Sequence, residues 1–157
     1  LNTIKSNYDY ILIDCMPSLS MITVNALSAA DSVIIPVQAQ YLSAKGMTQL
    51  IQTIAKVKRQ INPNLKIDGV LFTLLDKRLN FSKSTKDAIK FAYGKNVRIF
   101  DTIIPVAIKA AETSSKGKSI FAYEPKSTVA QAYKKLTEEV LDIEQREKHR
   151  LHIEQFR

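Results

Sequence analysis

The stretch YDYILIDCMPS, Tyr8 to Ser18, decides how the rest of the chain is read. Tyr8 to Asp14 is a short apolar run rich in aromatic and branched side chains, which predicts a strand buried on both faces. The run closes on a carboxylate and passes at once into a loop, Cys15-Met16-Pro17-Ser18. An acid belongs at the end of such a strand, because inside it the charge would be buried without a partner. Two roles fit Asp14 there. It can cap a helix that begins near Ser18, or it can hold a magnesium ion through water at the mouth of a sheet.

Outward from this run, strand and helix patterns alternate. Leu19, Ile22, Ala26, Leu27 and Ala30 have helical spacing within Ser18 to Ala30. DSVIIPV, Asp31 to Val37, reads as a second strand, with Pro36 suited to its end. Ser43 is placed to cap the next helix, whose apolar stripe is Met47, Leu50, Ile51, Ile54, Val57 and Ile61 and which Asn62-Pro63-Asn64 stops. Ile67 to Leu75 is a third strand. Ser84 to Tyr93 reads as a helix ending at Gly94, a residue able to adopt a left-handed cap. Val97 to Ile104 is a fourth strand, ended by Pro105, and a short helix at Ala107 to Glu112 and a turn at Lys116-Gly117-Lys118 follow. From Ser127 onward Val129, Tyr133, Leu136, Val140 and Ile143 recur at steps of three and four, so this helix packs one face. Past Ile143 the pattern decays into charge, which predicts a solvated or frayed helical tail. This order implies an α/β fold, a partial doubly wound and mostly parallel sheet covered by helices. Ligands of such sheets sit at the carboxyl ends of the strands, which directs attention to residues 14–18, 38–45, 74–78 and 105–109.

Composition narrows the function classes. The 157 residues are 45% hydrophobic with four Gly and five Pro, an ordinary globular mixture. No apolar run approaches the ~20 residues that span a bilayer. A single cysteine, Cys15, leaves no internal disulfide framework and suits a reducing compartment; without a histidine near it in sequence it reads as a small structural residue. His149 and His152 could share a helix face but have no third ligand near them. The net charge is +8, and it is uneven. Lys77 to Lys126 holds eleven Lys and Arg against four Asp and Glu, while the two signs balance after Ser127. Such a block attracts polyanions through Coulomb force and counterion release.

Several segments in order resemble one family. YDYILIDCMPSLSMITVNALSAADSVIIPVQAQYLSAKGMTQL, residues 8–50, resembles the region around the second nucleotide-binding motif of ParA-type partitioning ATPases, the ParA/Soj/MinD group of P-loop NTPases with a deviant Walker A loop. The matching marks are Asp14, Pro17, Pro36-Val37-Gln38 and Gly46. GVLFTLLDKRLN, Gly69 to Asn80, looks like the strand and loop that flank the adenine, and Thr102 to Val140 resembles the closing segment. The likeness covers residues 1–143, with 144–157 as a charged helical tail.

The resemblance implies roles residue by residue. Asp14 would hold magnesium through water and, with Pro17, belong to the nucleotide-sensing switch. Leu74, Asp76, Pro105 and Val106 would line the base. Arg78 and Lys109 would bind DNA without regard to sequence, for which they need only offer donors to phosphates. It further implies ATP and Mg2+ as cofactors, a homodimer, a ParB-like partner and a cytoplasmic, nucleoid-associated protein. Met16 departs from the family's first proline of a pair, and Val106 and Lys109 stand where arginines are common; Lys109 keeps the charge without the planar fork. The four glycines, at 46, 69, 94 and 117, cannot form G-x-x-x-x-G-K-[ST]. The resulting expectation is a carboxyl-terminal portion without the phosphate loop, carrying no catalytic residue and inactive alone. Two alternatives follow: a non-catalytic DNA-binding or dimerisation remnant, or a MinD-like regulator that meets membranes through the tail.

Overall fold

The structure, a computed structural model, describes residues 1, 3–16, 18, 20–38, 44–75, 80–94 and 97–154. After a 3-10 turn at Lys5–Asn7 the elements are α1 (Met21–Ala29), β1 (Ser32–Gln38), α2 (Ala44–Gln60), β2 (Lys66–Leu75), α3 (Asn80–Tyr93), β3 (Ile99–Pro105), α4 (Ile108–Lys116), α5 (Ile120–Tyr123) and α6 (Thr128–Glu154). They divide into two compact units, Leu1–Val33 with Ser43–Ile67, and Ile34–Leu42 with Asp68–Arg157. The fold is α/β, as the alternating patterns imply.

In the first unit α1 packs against α2. The stripe read from sequence does the burying: Met47, Ile54 and Val57 on α2, and Leu27 on α1, are all 5% exposed or less. Asn62 does more than stop α2. Its side-chain amide donates to the carbonyls of Leu27 (3.1 Å) and Ala30 (2.8 Å), satisfying acceptors that the end of α1 leaves open. The Asp31 carbonyl accepts from the Lys66 N–H at 3.2 Å, and the exposed Lys5 and Asp31 side chains pair at 3.3 Å.

Tyr8 to Asp14 corrects the sequence reading. No strand forms there, and the residues are exposed, Leu12 to 93%. Apolar character gives a segment reason to be buried, but it becomes a strand only where a neighbour supplies a ladder. The three strands among the described residues pair with one another in the order β1-β2-β3.

β2 is the central strand of the second unit's sheet, and Val70 and Phe72 are completely buried. It runs parallel to β3 with Val70 opposite Ile99, Phe72 opposite Ile103 and Leu75 opposite Pro105. The core joins Leu71 of β2, Phe100 and Ile104 of β3, and Val129, Ala132 and Ile143 of α6. Leu136 and Val140 pack against the same cluster, so four of the five positions marked the buried face, whereas Tyr133 is 41% exposed. α6 then continues as helix to Glu154. Glu139 ties α6 to β3 where its register with β2 shifts: its two carboxylate oxygens accept from the N–H groups of Asp101 (2.9 Å) and Thr102 (3.0 Å).

One glycine behaves differently from expectation, and another makes the turn expected of it. Gly94 is not left-handed; it lies so close to the carbonyl of Lys90 that a Cβ would sit 2.4 Å from that oxygen. The left-handed cap is Gly117, at φ 58, which ends α4 and turns the chain toward α5.

Candidate functional site

β2 and β3 end side by side. Leu75 lies opposite Pro105, and the Val106 N–H donates to the Leu75 carbonyl at 3.4 Å. Leu74 has φ 50, the one positive value at a non-glycine position among the described residues. That region costs a bulky side chain roughly 1–2 kcal/mol, and it persists where the flanking structure over-determines it. Leu75 is 7% exposed and paired on the strand, whereas Leu74 is 46% exposed. Val106 is 54% exposed and Ile108, which opens α4, 78%. Three of the residues assigned to a base pocket, Leu74, Pro105 and Val106, therefore meet on one rim at the carboxyl ends of parallel strands. Together they offer an open apolar shelf rather than a closed cavity. Asp76 lies outside the described residues.

Lys109 stands in the first turn of α4 and is engaged by neighbours. Its ammonium donates to Glu112 Oε2 at 3.1 Å, and the Tyr123 hydroxyl of α5 donates to the same oxygen at 2.7 Å. The ammonium also lies 5.6 Å from the centre of the Tyr123 ring, within cation–π range. The hydrogen bond from Tyr123, then that from Lys109, holds the Glu112 carboxyl below its ordinary range. The same bonds raise Lys109 and Tyr123 above their ordinary values, Glu112 being the chief cause in each case. Lys109 is exposed, whereas Glu112 and Tyr123 are half-buried.

Asp14 is exposed and belongs to the first unit, at the end of the irregular segment 8–14. The described residues contain no group of three His, Cys, Asp or Glu side chains able to cage a metal. A lone carboxylate still fits magnesium, which keeps most of its waters and is commonly held by one or two carboxylates and a substrate's phosphates. Pro17 and Arg78 lie outside the described residues. No helix among the described residues is long and apolar enough to cross a membrane.

Sequence reading singled out Lys109 but missed Glu112 and Tyr123. The Lys109–Glu112 step of three on a helix was readable as a side-chain pair. Tyr123 was not, because its approach depends on the reversal at Gly117.

A family model described as an AAA domain matches residues 1–67. The sporulation initiation inhibitor protein Soj of Bacillus subtilis is 43% identical over 140 residues, which is 89% of this chain and 54% of Soj. The chromosome partitioning protein ParA of Caulobacter vibrioides is 39% identical over 92% of the chain and 54% of ParA. The chain thus spans about half the length of the curated relatives it matches. Among solved structures, cobyrinic acid a,c-diamide synthase from Mycobacterium smegmatis superposes with a TM-score of 0.62 at 28% identity, over 74% of this chain and 52% of that one. The form of that protein with bound ATP analogue and magnesium gives 0.61 at 35% identity, over 66% and 41%.

These matches correct the expectation of a carboxyl-terminal remnant without the phosphate loop. The fold is shared with a solved protein that has been seen holding an ATP analogue and magnesium. Along about nine-tenths of its length the chain is similar in sequence to the Soj and ParA proteins, and it shares its α/β sheet with the solved neighbours.

Proposed function

We propose that this protein is a ParA-type partitioning ATPase. It binds ATP with magnesium, pairs into a nucleotide-dependent homodimer, engages DNA without regard to sequence, and hydrolyses ATP when a ParB-like partner stimulates it in the cytoplasm, at the nucleoid. The carrying observation is the 43% identity to Soj along 89% of the chain. The shelf at the ends of β2 and β3 supports the reading, because it lies where open parallel sheets bind ligands.

Within this reading ATP and magnesium supply the phosphoryl chemistry, and the residues of this chain bind and orient. Asp14 holds the ion through water and, with Pro17, senses the state of the nucleotide. Leu74, Asp76, Pro105 and Val106 bound the base, where apolar side chains suit its faces. Arg78 and Lys109 direct donors to DNA phosphates. Residues 144–157 form a charged extension of the domain over 1–143.

The test joins this chain to the portion of Bacillus subtilis Soj that it does not span. Binding of a fluorescent ATP analogue and of duplex DNA is measured with and without magnesium. We expect magnesium-dependent nucleotide binding, tighter DNA binding with ATP than with ADP, and loss of the magnesium dependence in Asp14→Asn. Nucleotide binding indifferent to both magnesium and Asp14, with DNA binding indifferent to nucleotide, would sink the proposal.

A further inference from the structure

The contact of Glu112 with Lys109 and Tyr123 has the form of an occupied anion seat. Two donors from different helices, the Lys109 ammonium on α4 and the Tyr123 hydroxyl on α5, converge on one oxygen, Glu112 Oε2, at 3.1 and 2.7 Å. Two donors meeting at one negatively charged oxygen is also the arrangement that receives a phosphate oxygen. Lys116 lies one turn beyond Glu112 on α4 and adds to the positive field at the carboxylate. The seat is open to solvent, since the Lys109 and Glu112 side chains are 51% and 37% exposed. An exposed pair of this kind contributes little, so a stronger anion displaces it easily.

We propose that Glu112 sits where a phosphate of the DNA backbone binds, as a built-in competitor that occupies Lys109 and Tyr123 and lowers affinity for DNA. This rests on the DNA-binding reading given above. Arriving phosphate must turn the Glu112 carboxylate away, and the carboxylate then stands near the backbone as an unpaired like charge. The device keeps this stretch of α4 from holding DNA tightly when only one or two phosphates are in reach. It acts through Lys109, which makes Glu112 a positioning residue. A carboxylate that merely braces α4 against α5 would predict no particular change in DNA binding when neutralised.

The experiment measures duplex DNA binding, with ATP and magnesium, by the chain joined to the remaining portion of Soj as above, across a salt series, for wild type, Glu112→Gln, Lys109→Gln and the double variant. Glu112→Ala serves as a second neutral variant, and thermal melting confirms that each is folded. We expect Glu112→Gln to bind roughly two- to fivefold tighter, the fold-change matching a surface ion pair. Its plot of log affinity against log salt should keep the wild-type slope, because Lys109 meets the same phosphate in both proteins, and shift upward as a whole. In the Lys109→Gln background the same change should do almost nothing. An equal gain in both backgrounds would show only a general loss of negative charge and overturn the inference, as would an unchanged or weaker Glu112→Gln. If wild type binds no DNA, the reading of function falls first and this inference with it. Inorganic phosphate at matched ionic strength should displace DNA from Glu112→Gln no better than chloride; specific displacement would mean a seat for free phosphate and overturn the assignment to DNA.

Discussion

At Lys109, Glu112 and Tyr123 the three shifted groups fix a pH window. The Glu112 carboxyl is lowered by its hydrogen bonds from Tyr123 and Lys109. Its contribution to folding is therefore present above the ordinary carboxylate value and is lost as pH falls through the lowered folded value. Lys109 and Tyr123 are raised, chiefly by Glu112. What they contribute is present below their ordinary values and is lost as pH rises through the raised ones. The link between α4 and α5 is consequently strongest from mildly acidic to mildly alkaline pH and weakens at both extremes. The charged neighbours Lys116, which acts on Glu112, and Glu124, which acts on Lys109, reinforce these directions. A spectrophotometric titration checks this at the alkaline end. Glu112→Gln should move the ionisation of Tyr123 to lower pH, with Tyr123→Phe identifying which step is its own. An unmoved step would show that the 2.7 Å bond does not persist in solution.

At the scale of elements, legibility followed whether an element's partner is written close by in the pattern. β2 was legible because VLF, residues 70–72, is apolar without alternation, and a strand buried on both faces must be. The packing face of α6 was legible because Val129, Leu136, Val140 and Ile143 hold helical spacing over several turns. Tyr8 to Asp14 shares the composition of β2 and yet is no strand, because composition reports a preference for burial and not the presence of a ladder. The short helix α5 has only four residues and no period to read; its Ser119 cap, accepting from the Ala122 N–H at 3.2 Å, became evident only in the structure. For the candidate site, the strand ends directed attention to residues 74–78 and 105–109, whereas the positive φ of Leu74 carried no sequence signal, since leucine rarely adopts it.

The grip of α6 on β3 is a second element-scale feature hidden from sequence. Glu139 looks like one more solvated acid on a charged helix, but its carboxylate spans two successive amides, Asp101 and Thr102. Covering those amides satisfies them where the ladder between β2 and β3 is irregular. Water reaches the exposed Asp101 amide, so replacement is partial. Glu139→Ala should lower stability by about 1–3 kcal/mol, the range for hydrogen bonds to a charged group. Glu139→Gln, which keeps one acceptor, should lose less. Urea unfolding of the three chains decides it, and a change within about 0.5 kcal/mol for Glu139→Ala would place that side chain among ordinary surface residues.

Across the whole molecule, what reaches furthest is charge. The net +8 draws on a block, Lys77 to Lys126, in which eleven basic residues face four acidic ones. A field of that kind does not read bases; it collects phosphates, and its energy comes largely from the counterions they release. If Arg78 and Lys109 each neutralise one phosphate, log affinity should fall with log salt at a slope of about −1.8, roughly a twelvefold loss for a fourfold rise in salt. Arg78→Gln and Lys109→Gln should each flatten that slope by about 0.9 and weaken AT-rich and GC-rich duplexes alike. Fluorescence anisotropy with two such duplexes over a salt series measures both quantities together. A flat salt dependence would remove the electrostatic argument altogether. A slope kept intact in both variants would move the DNA-binding surface to other members of the same basic block, with Lys116 and Lys118, at the turn between α4 and α5, the next residues to replace.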